Sequence, residues 1–181
     1  YKEVFPLIQN DKMWMGNGFH AGNAYFSTPF ANEYGEGVYN PETGLVKFRN
    51  VCWFTNIDHG RRHQPLSLMT MAGNLRYSKH KEIKGKDSYD RYDNYDAIEV
   101  PFTDAIPSDY DGIMGVPISF LDKYSPDQFE IIGASDNGVV DERYKLRHFK
   151  KHNEPYIDGE KRYKRIFIKH RTPANDHHPE N

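Results

Sequence analysis

The stretch NVCWFTNIDHGRRHQPL, residues 50–66, limits more than any other what this chain can fold into. Val51, Cys52, Trp53 and Phe54 form an apolar run too short for a helix, which reads as the end of a buried strand. Asn56, Asp58, His59, Arg61, Arg62 and His63 follow directly. A fold containing this stretch must hold the strand in its core and still deliver cations and hydrogen-bonding groups to one place. His59 and His63 stand four apart, but Gly60 and Pro65 disfavour the helix that would align both imidazoles on a metal. The loop therefore reads as solvated or phosphate-facing.

Along the rest of the chain, apolar runs are short and strand-like segments outnumber helices. Residues 2–9 read as a helix with Val4, Phe5, Leu7 and Ile8 on one side and Pro6 in its first turn. Residues 13–15 and 24–26 are strand candidates. Residues 39–44 form a turn leading into a strand over 45–55, of which only the second half reads as buried. Residues 59–95, including the tyrosine–aspartate repeat YDRYDNYD at 89–96, lack sustained periodicity and read as an excursion from the core. Residues 97–100 return as a strand, 107–117 as a turn-rich loop, 118–123 as a helical turn and 128–133 as a buried strand. Residues 143–150 and 162–171 suit a late antiparallel pair with one charged face, and 172–181 a frayed tail. The pattern is mixed α and β without regular βαβ alternation.

Composition narrows the classes. Hydrophobic residues at 37% and charged ones at 28% describe a globular chain rather than a disordered one. The single cysteine, Cys52, excludes a disulfide framework and reads as a buried thiol in a reducing compartment, which favours the cytoplasm. No apolar run approaches the roughly 20 residues of a membrane helix, and the first residues lack the pattern of a signal peptide. The chain opens without Met and inside an apparent element, so a fragment is expected.

The net charge of −2 conceals segregation: basic blocks at 59–91 and 143–171 flank an acidic one at 92–142. Asn56, His59, Arg61, Arg62, His63, Arg76, Lys79, Lys81, Lys84 and Arg91, interleaved with Tyr77 and His80, form the candidate nucleic-acid-binding set. Lys and Arg neutralise phosphates, and Arg or Asn forks can read base edges. A solvated charged face is the competing reading. Cys52 is poorly placed as a nucleophile within an apolar run. Asp104, Asp109 and Asp111 admit a Mg²⁺-dependent nuclease only as a remote alternative. GNGFHAGN at 16–23 departs from the G-x-G-x-x-G spacing of a nucleotide cradle.

At NVCWFTNIDHGRRHQPL, YDNYDAIEV and, most specifically, IPSDYDGIMGVPISFLDKYSPDQFEIIG (106–133), the sequence resembles the EcoRI-type adenine-specific DNA methyltransferases, over nearly the whole chain. The resemblance implies transfer of a methyl group from S-adenosylmethionine to adenine N6 in duplex DNA, within a restriction–modification system. It implies an α/β fold: the carboxy-terminal part of a class I, Rossmann-like methyltransferase sheet, strand-rich and incomplete, with an inserted DNA-contacting region. Residues 1–58 would be late elements of that sheet, with the strand over 45–55 delivering the 56–63 loop to the DNA. Residues 59–96 would be the DNA-contacting excursion, and 97–171 a mixed region ending in basic strands. The family's Asn-Pro-Pro-Phe motif is missing, STPF at 27–30 being the nearest string, and so is its glycine-rich cofactor motif. The expected partners are duplex DNA and a missing amino-terminal catalytic half, without which the chain should be inactive. A non-catalytic DNA-binding or subunit-completing module is the alternative.

Overall fold

The computed structural model describes residues 3–16, 22–35, 37–135 and 154–172. In chain order its elements are helix α1 (Val4–Gln9), strands β1 (Trp14–Met15), β2 (Gly22–Phe26), β3 (Tyr39–Asn40), β4 (Leu45–Val51) and β5 (Phe54–Thr55), and helix α2 (Met71–Tyr77). Strands β6 (Ile98–Glu99), β7 (Met114–Val116), β8 (Phe129–Ala134), β9 (Tyr156–Ile157), β10 (Glu160–Lys161) and β11 (Ile166–His170) follow. The segments 143–150 and 173–181, and most of the glycine-rich stretch 16–23, lie outside the described residues. No helix among the described residues is long and apolar enough to cross a membrane.

The main sheet has the order β6-β7-β11-β8, with β6 parallel to β7 and β11 antiparallel to both its neighbours. β11 lies inside the sheet because Ile166, Phe167 and Ile168 form a continuous apolar run that can be buried on both faces. The expected late pair with a charged face is thereby corrected for the 162–171 half: β11 pairs with β7 and β8, and only Lys169 of its five residues is not buried. Ile166 and Ile168 face a core shared with Met114, Val116, Ile131 and α1 residues Phe5 and Ile8. Pro6 costs α1 nothing, since the first helical N–H groups have no intrahelical acceptor. The Gln9 side chain donates to the Ile132 carbonyl at 2.9 Å, satisfying an acceptor on the edge strand β8.

Phe167 faces the other side, where Tyr92, Tyr95, Ala97, Ile132 and Ile157 enclose it. Here the tyrosine–aspartate repeat reveals its role. Tyr89, Tyr92 and Tyr95 are buried and recur every third residue, whereas Arg91, Asp93 and Asp96 are exposed. Tyr95 lies 4.4 Å from Phe167 between ring centroids, and Tyr92 meets it edge-on at 5.9 Å. These side chains, together with Ile83, correct the reading of 59–95 as an excursion: Tyr89, Tyr92 and Tyr95 seal the core. Aromatic burial at this period leaves no helical or alternating signature, which is why periodicity failed to find it. β7 corrects the reading of 107–117 as loop. Gly115 in that strand resembles turn chemistry, but it makes room for Tyr92, whose ring and hydroxyl occupy the space a Cβ would need.

A separate three-stranded antiparallel sheet has the order β2-β4-β3, and β1 pairs with β5. The expected strand over 45–55 is therefore corrected twice. It belongs to this sheet rather than to the main one, and it breaks at Cys52-Trp53, where the chain changes partner from β2 to β1. Val46 in the first half is fully buried, while Trp53 is 56% exposed and Cys52 half-buried.

Replacing Gly115 with Ala should destabilise the protein by on the order of 1–3 kcal/mol, because Tyr92 cannot retreat from the sheet without leaving Phe167. Urea denaturation measures this. Gly35→Ala, which meets no atom within 4 Å, should stay within about 0.5 kcal/mol of the parent.

Candidate nucleic-acid interface

The turn Gly60–His63 brings its cations together, but chiefly against acids of the same molecule. The Trp14 indole N–H donates to the Ile57 carbonyl at 3.1 Å and fixes the entry to the turn. The Arg62 guanidinium lies 3.7 Å from the centre of the Trp14 ring and reaches Asp11 at 3.3 Å and Asp58 at 3.4 Å. With its side chain 11% exposed, Arg62 is a tie between segments. Arg61 meets Asp122 at 3.4 Å, and the His59 ring contacts the Met15 carbonyl at 3.2 Å. Asn56 and His63 are the exposed members of this loop's candidates.

His63 bridges two carboxylates. Nδ1 lies 2.7 Å from Asp127 and Nε2 3.0 Å from Asp58. Only the doubly protonated ring can donate to both. Asp127, followed by Asp58, accordingly raises the His63 pKa above its ordinary value. The hydrogen bond from His63 is the main reason the Asp58 carboxyl lies below its own ordinary value.

The second set of candidates follows α2, whose N-terminus is capped by the Thr70 hydroxyl accepting from Gly73 N–H at 3.1 Å. Met71 N–H also donates to Asp109, at 2.7 Å. Arg76, Lys79, Lys81, Lys84 and Arg91 are all exposed. Lys79 lies 2.7 Å from Asp104, and His80, stacked on Phe102, reaches the same carboxylate at 2.8 Å. Partial burial pushes the Asp104 carboxyl up, but the Lys79 and His80 hydrogen bonds hold it below its ordinary value. Arg91 pairs with Asp96 at 2.8 Å. Lys81 and Lys84 make no ion pair among the described residues.

The other candidate chemistries disperse. Asp104, Asp109 and Asp111 point to separate partners, the last to Lys169 at 3.4 Å. Among the described residues no group of three His, Cys, Asp or Glu could hold a metal ion. Desolvation pushes the Cys52 thiol up, away from the thiolate.

Sequence reasoning missed a cleft of about 420 Å³ between residues 82–90 and the 157–165 arm. Glu99 and Arg165 form a buried ion pair on its lining, with Arg165 Nη2 2.5 Å from Oε1 and Nε 3.1 Å from both oxygens. The Tyr92 hydroxyl donates to the same carboxylate. Burial, and then Glu99, drive the Tyr92 pKa far up. Burial disfavours the charged form of Arg165, but Glu99 outweighs it. A carboxylate inside the otherwise apolar AIEVP strand was the available signal.

The His63 bridge makes a pH-dependent contribution to stability. Because the folded His63 pKa is raised, that contribution is complete below the ordinary imidazole value and lost as pH climbs through the raised one. Asp58, depressed in the fold, adds stability above its ordinary value that is lost as pH falls through the lowered one. The thermal midpoint should therefore fall between about pH 6 and about pH 8.5 by more in the parent than in His63→Gln. Parallel pH dependences of the two midpoints across that range would show that the bridge contributes no stability.

Residues 1–171 match the family described as adenine-specific methyltransferase EcoRI. Similar proteins include the type II methyltransferase M.EcoRI of Escherichia coli, 38% identical over 174 residues that cover 94% of this chain and 47% of that protein. The type II methyltransferases M.MgeORF184P of Mycoplasma genitalium and M.MpnI of Mycoplasma pneumoniae are 31% and 30% identical, over 93% and 94% of this chain and 53% of each relative. The chain spans about half the length of the curated relatives it matches. No solved structure matches it.

Proposed function

The chain belongs to the EcoRI adenine-specific methyltransferase family, and from that membership we propose that it is the DNA-engaging part of an enzyme that methylates adenine N6 in duplex DNA. The enzyme would be the modification component of a restriction–modification system, acting in the cytoplasm. The family match over residues 1–171 carries this reading. S-adenosylmethionine would supply the methyl group. The described residues do not fit that cofactor, because among them no glycine-rich turn leads from a strand into a helix. We place cofactor and catalytic motif in the remaining half of a longer enzyme, to whose class I sheet β6, β7, β8 and β11 would contribute.

The residues divide the work by their partners. Arg62, with Arg61 and His59, ties the 56–63 loop to Asp11 after α1, to β1 and to the turn after β7. Asn56, Arg76, Lys79, Lys81, Lys84 and Arg91 keep exposed polar surface for phosphates, whereas both ring nitrogens of His63 are taken up by Asp58 and Asp127. Extruding a base for methylation costs a few kcal/mol, and phosphate contacts of this kind help offset it.

In an enzyme of the relatives' length, tritium from labelled S-adenosylmethionine should appear in N6-methyladenine of duplex DNA, while the 181-residue chain alone transfers none. Label confined to protein or RNA would overturn the substrate. Transfer by the chain alone would overturn the division into halves. A non-catalytic module would bind DNA in every form of the protein and never support transfer.

Lys81 and Lys84 make no ion pair among the described residues, so replacing both with Ala should flatten the slope of log affinity against log salt by roughly 1.8, about 0.9 for each phosphate no longer neutralised. An unchanged slope returns them to the solvated face.

A further inference from the structure

The cleft between residues 82–90 and the 157–165 arm is built with more care than a surface groove needs. Its arm is the hairpin β9–β10 and the residues after it. The turn of that hairpin has Asp158 at φ 53° and Gly159 at φ 76°, the left-handed pair that a two-residue hairpin turn demands. The Asp93 carboxylate accepts from both turn N–H groups, at 3.2 and 2.9 Å. Asn94 holds the Glu154 carbonyl and the Tyr156 N–H. The polar members of the tyrosine–aspartate repeat thus fasten the arm, while its tyrosines are fastened to the core.

Beyond the hairpin, Tyr163 is 87% exposed, more than any other large apolar side chain described. Its backbone is nevertheless fixed: Arg165, already locked to Glu99, donates from Nη1 to the carbonyls of Tyr163 and Lys164 at 3.4 and 3.2 Å. Arg162 N–H donates to the Pro155 carbonyl at 2.8 Å. An aromatic ring is therefore held out in water by a rigid main chain at the edge of a cavity.

The lining suits one class of ligand. Ile83, Tyr89, Pro101 and Ile157 give apolar surface, and Lys86, Lys161, Arg162 and Arg165 give positive charge beside the carboxylates Glu82, Asp90 and Glu99, of which Asp90 pairs with Lys86 at 2.6 Å and Glu99 with Arg165. Lys161 and Arg162 pair with Glu154 and Glu160, whose side chains are 40% and 75% exposed. Such pairs are weak and readily exchanged for a phosphate. A volume of about 420 Å³ lies in the range of small-molecule sites.

We propose that this cleft receives one nucleotide of the bound DNA, its base stacked on Tyr163 and its flanking phosphate held by Arg162 with Lys161. The assignment rests on the DNA-engaging reading above and locates a specific part of it. It makes Tyr163 and Arg162 positioning residues for the substrate strand, fixed in advance by Asp93, Asn94 and Arg165.

The test is fluorescence anisotropy of the full chain with a labelled duplex, alongside NMR titration with a deoxynucleoside monophosphate and with inorganic phosphate. Tyr163→Ala should weaken duplex binding roughly 5- to 100-fold, the range of one lost base–aromatic stack. Tyr163→Phe should retain binding. Arg162→Gln should lower the salt slope by about one unit. Phe30→Ala, at another exposed ring, should leave binding unchanged. Far-UV circular dichroism should be the same for all, since the replaced side chains are exposed or half-exposed. The mononucleotide should shift Ile157 and Tyr163 resonances, and phosphate alone should shift those of Arg162. If the parent binds duplex and Tyr163→Ala binds equally well, the cleft assignment falls while the DNA reading stands. If the parent binds no duplex, both fall. Displacement of the mononucleotide by an acidic peptide at equal charge concentration would mark a general anion site and overturn the proposal.

Discussion

Glu99 surrenders its hydration to stand at the end of β6, and much of the architecture follows from answering that charge. An ionised carboxylate out of water is tolerated only when paired and fully hydrogen-bonded. Arg165 supplies the fork, and the Tyr92 hydroxyl takes one of the remaining positions. Each answer fixes something else. Tyr92 must lie flat over Gly115, which places the 89–96 segment on the sheet. Arg165 must enter from the segment before β11, which draws that strand between β7 and β8 and sets the main chain of Tyr163. One buried ion pair therefore connects sheet order, aromatic seal and cleft edge.

The cations follow the same logic with different outcomes. Those at 59–63 find Asp11, Asp58, Asp122 and Asp127 within reach and serve mainly as ties. Those at 76–84 lie on and beyond a short helix, and two of them, Lys81 and Lys84, make no ion pair among the described residues. Formal charge is the same in both sets, and partner geometry separates them. A basic stretch in a sequence is thus an inventory from which a fold selects.

Several elements were legible beforehand for local reasons. The buried strand over 128–133, the return at 97–100 and the short first helix all follow from compact apolar runs with turn residues around them. The helical turn expected at 118–123, found at Ile118–Asp122, was equally plain, whereas the turn expected over 39–44 starts only at 41, because Tyr39–Asn40 is β3. β7 was hidden because its central residue is glycine, and the burial of Tyr89, Tyr92 and Tyr95 because a period of three belongs to neither regular structure. The break at Cys52-Trp53 was hidden because a change of strand partner leaves no mark on hydropathy. The cleft was hidden most completely, since Asp158-Gly159 signals a turn but says nothing of what the turn faces.

By itself the sequence determined the short strands, the apolar runs that had to be buried, the surplus of cations on two blocks and the family resemblance carried by 106–133. The tertiary structure decided which cations are ties and which remain available, which aromatic rings are core and which are presented. The reason is distance along the chain: Arg62 and Asp11 are 51 residues apart, Arg61 and Asp122 61, His63 and Asp127 64, Arg165 and Glu99 66. Local pattern carries propensity and hydropathy over a few residues, whereas the neutralisation of a charge depends on whatever the fold brings within reach of an ion pair.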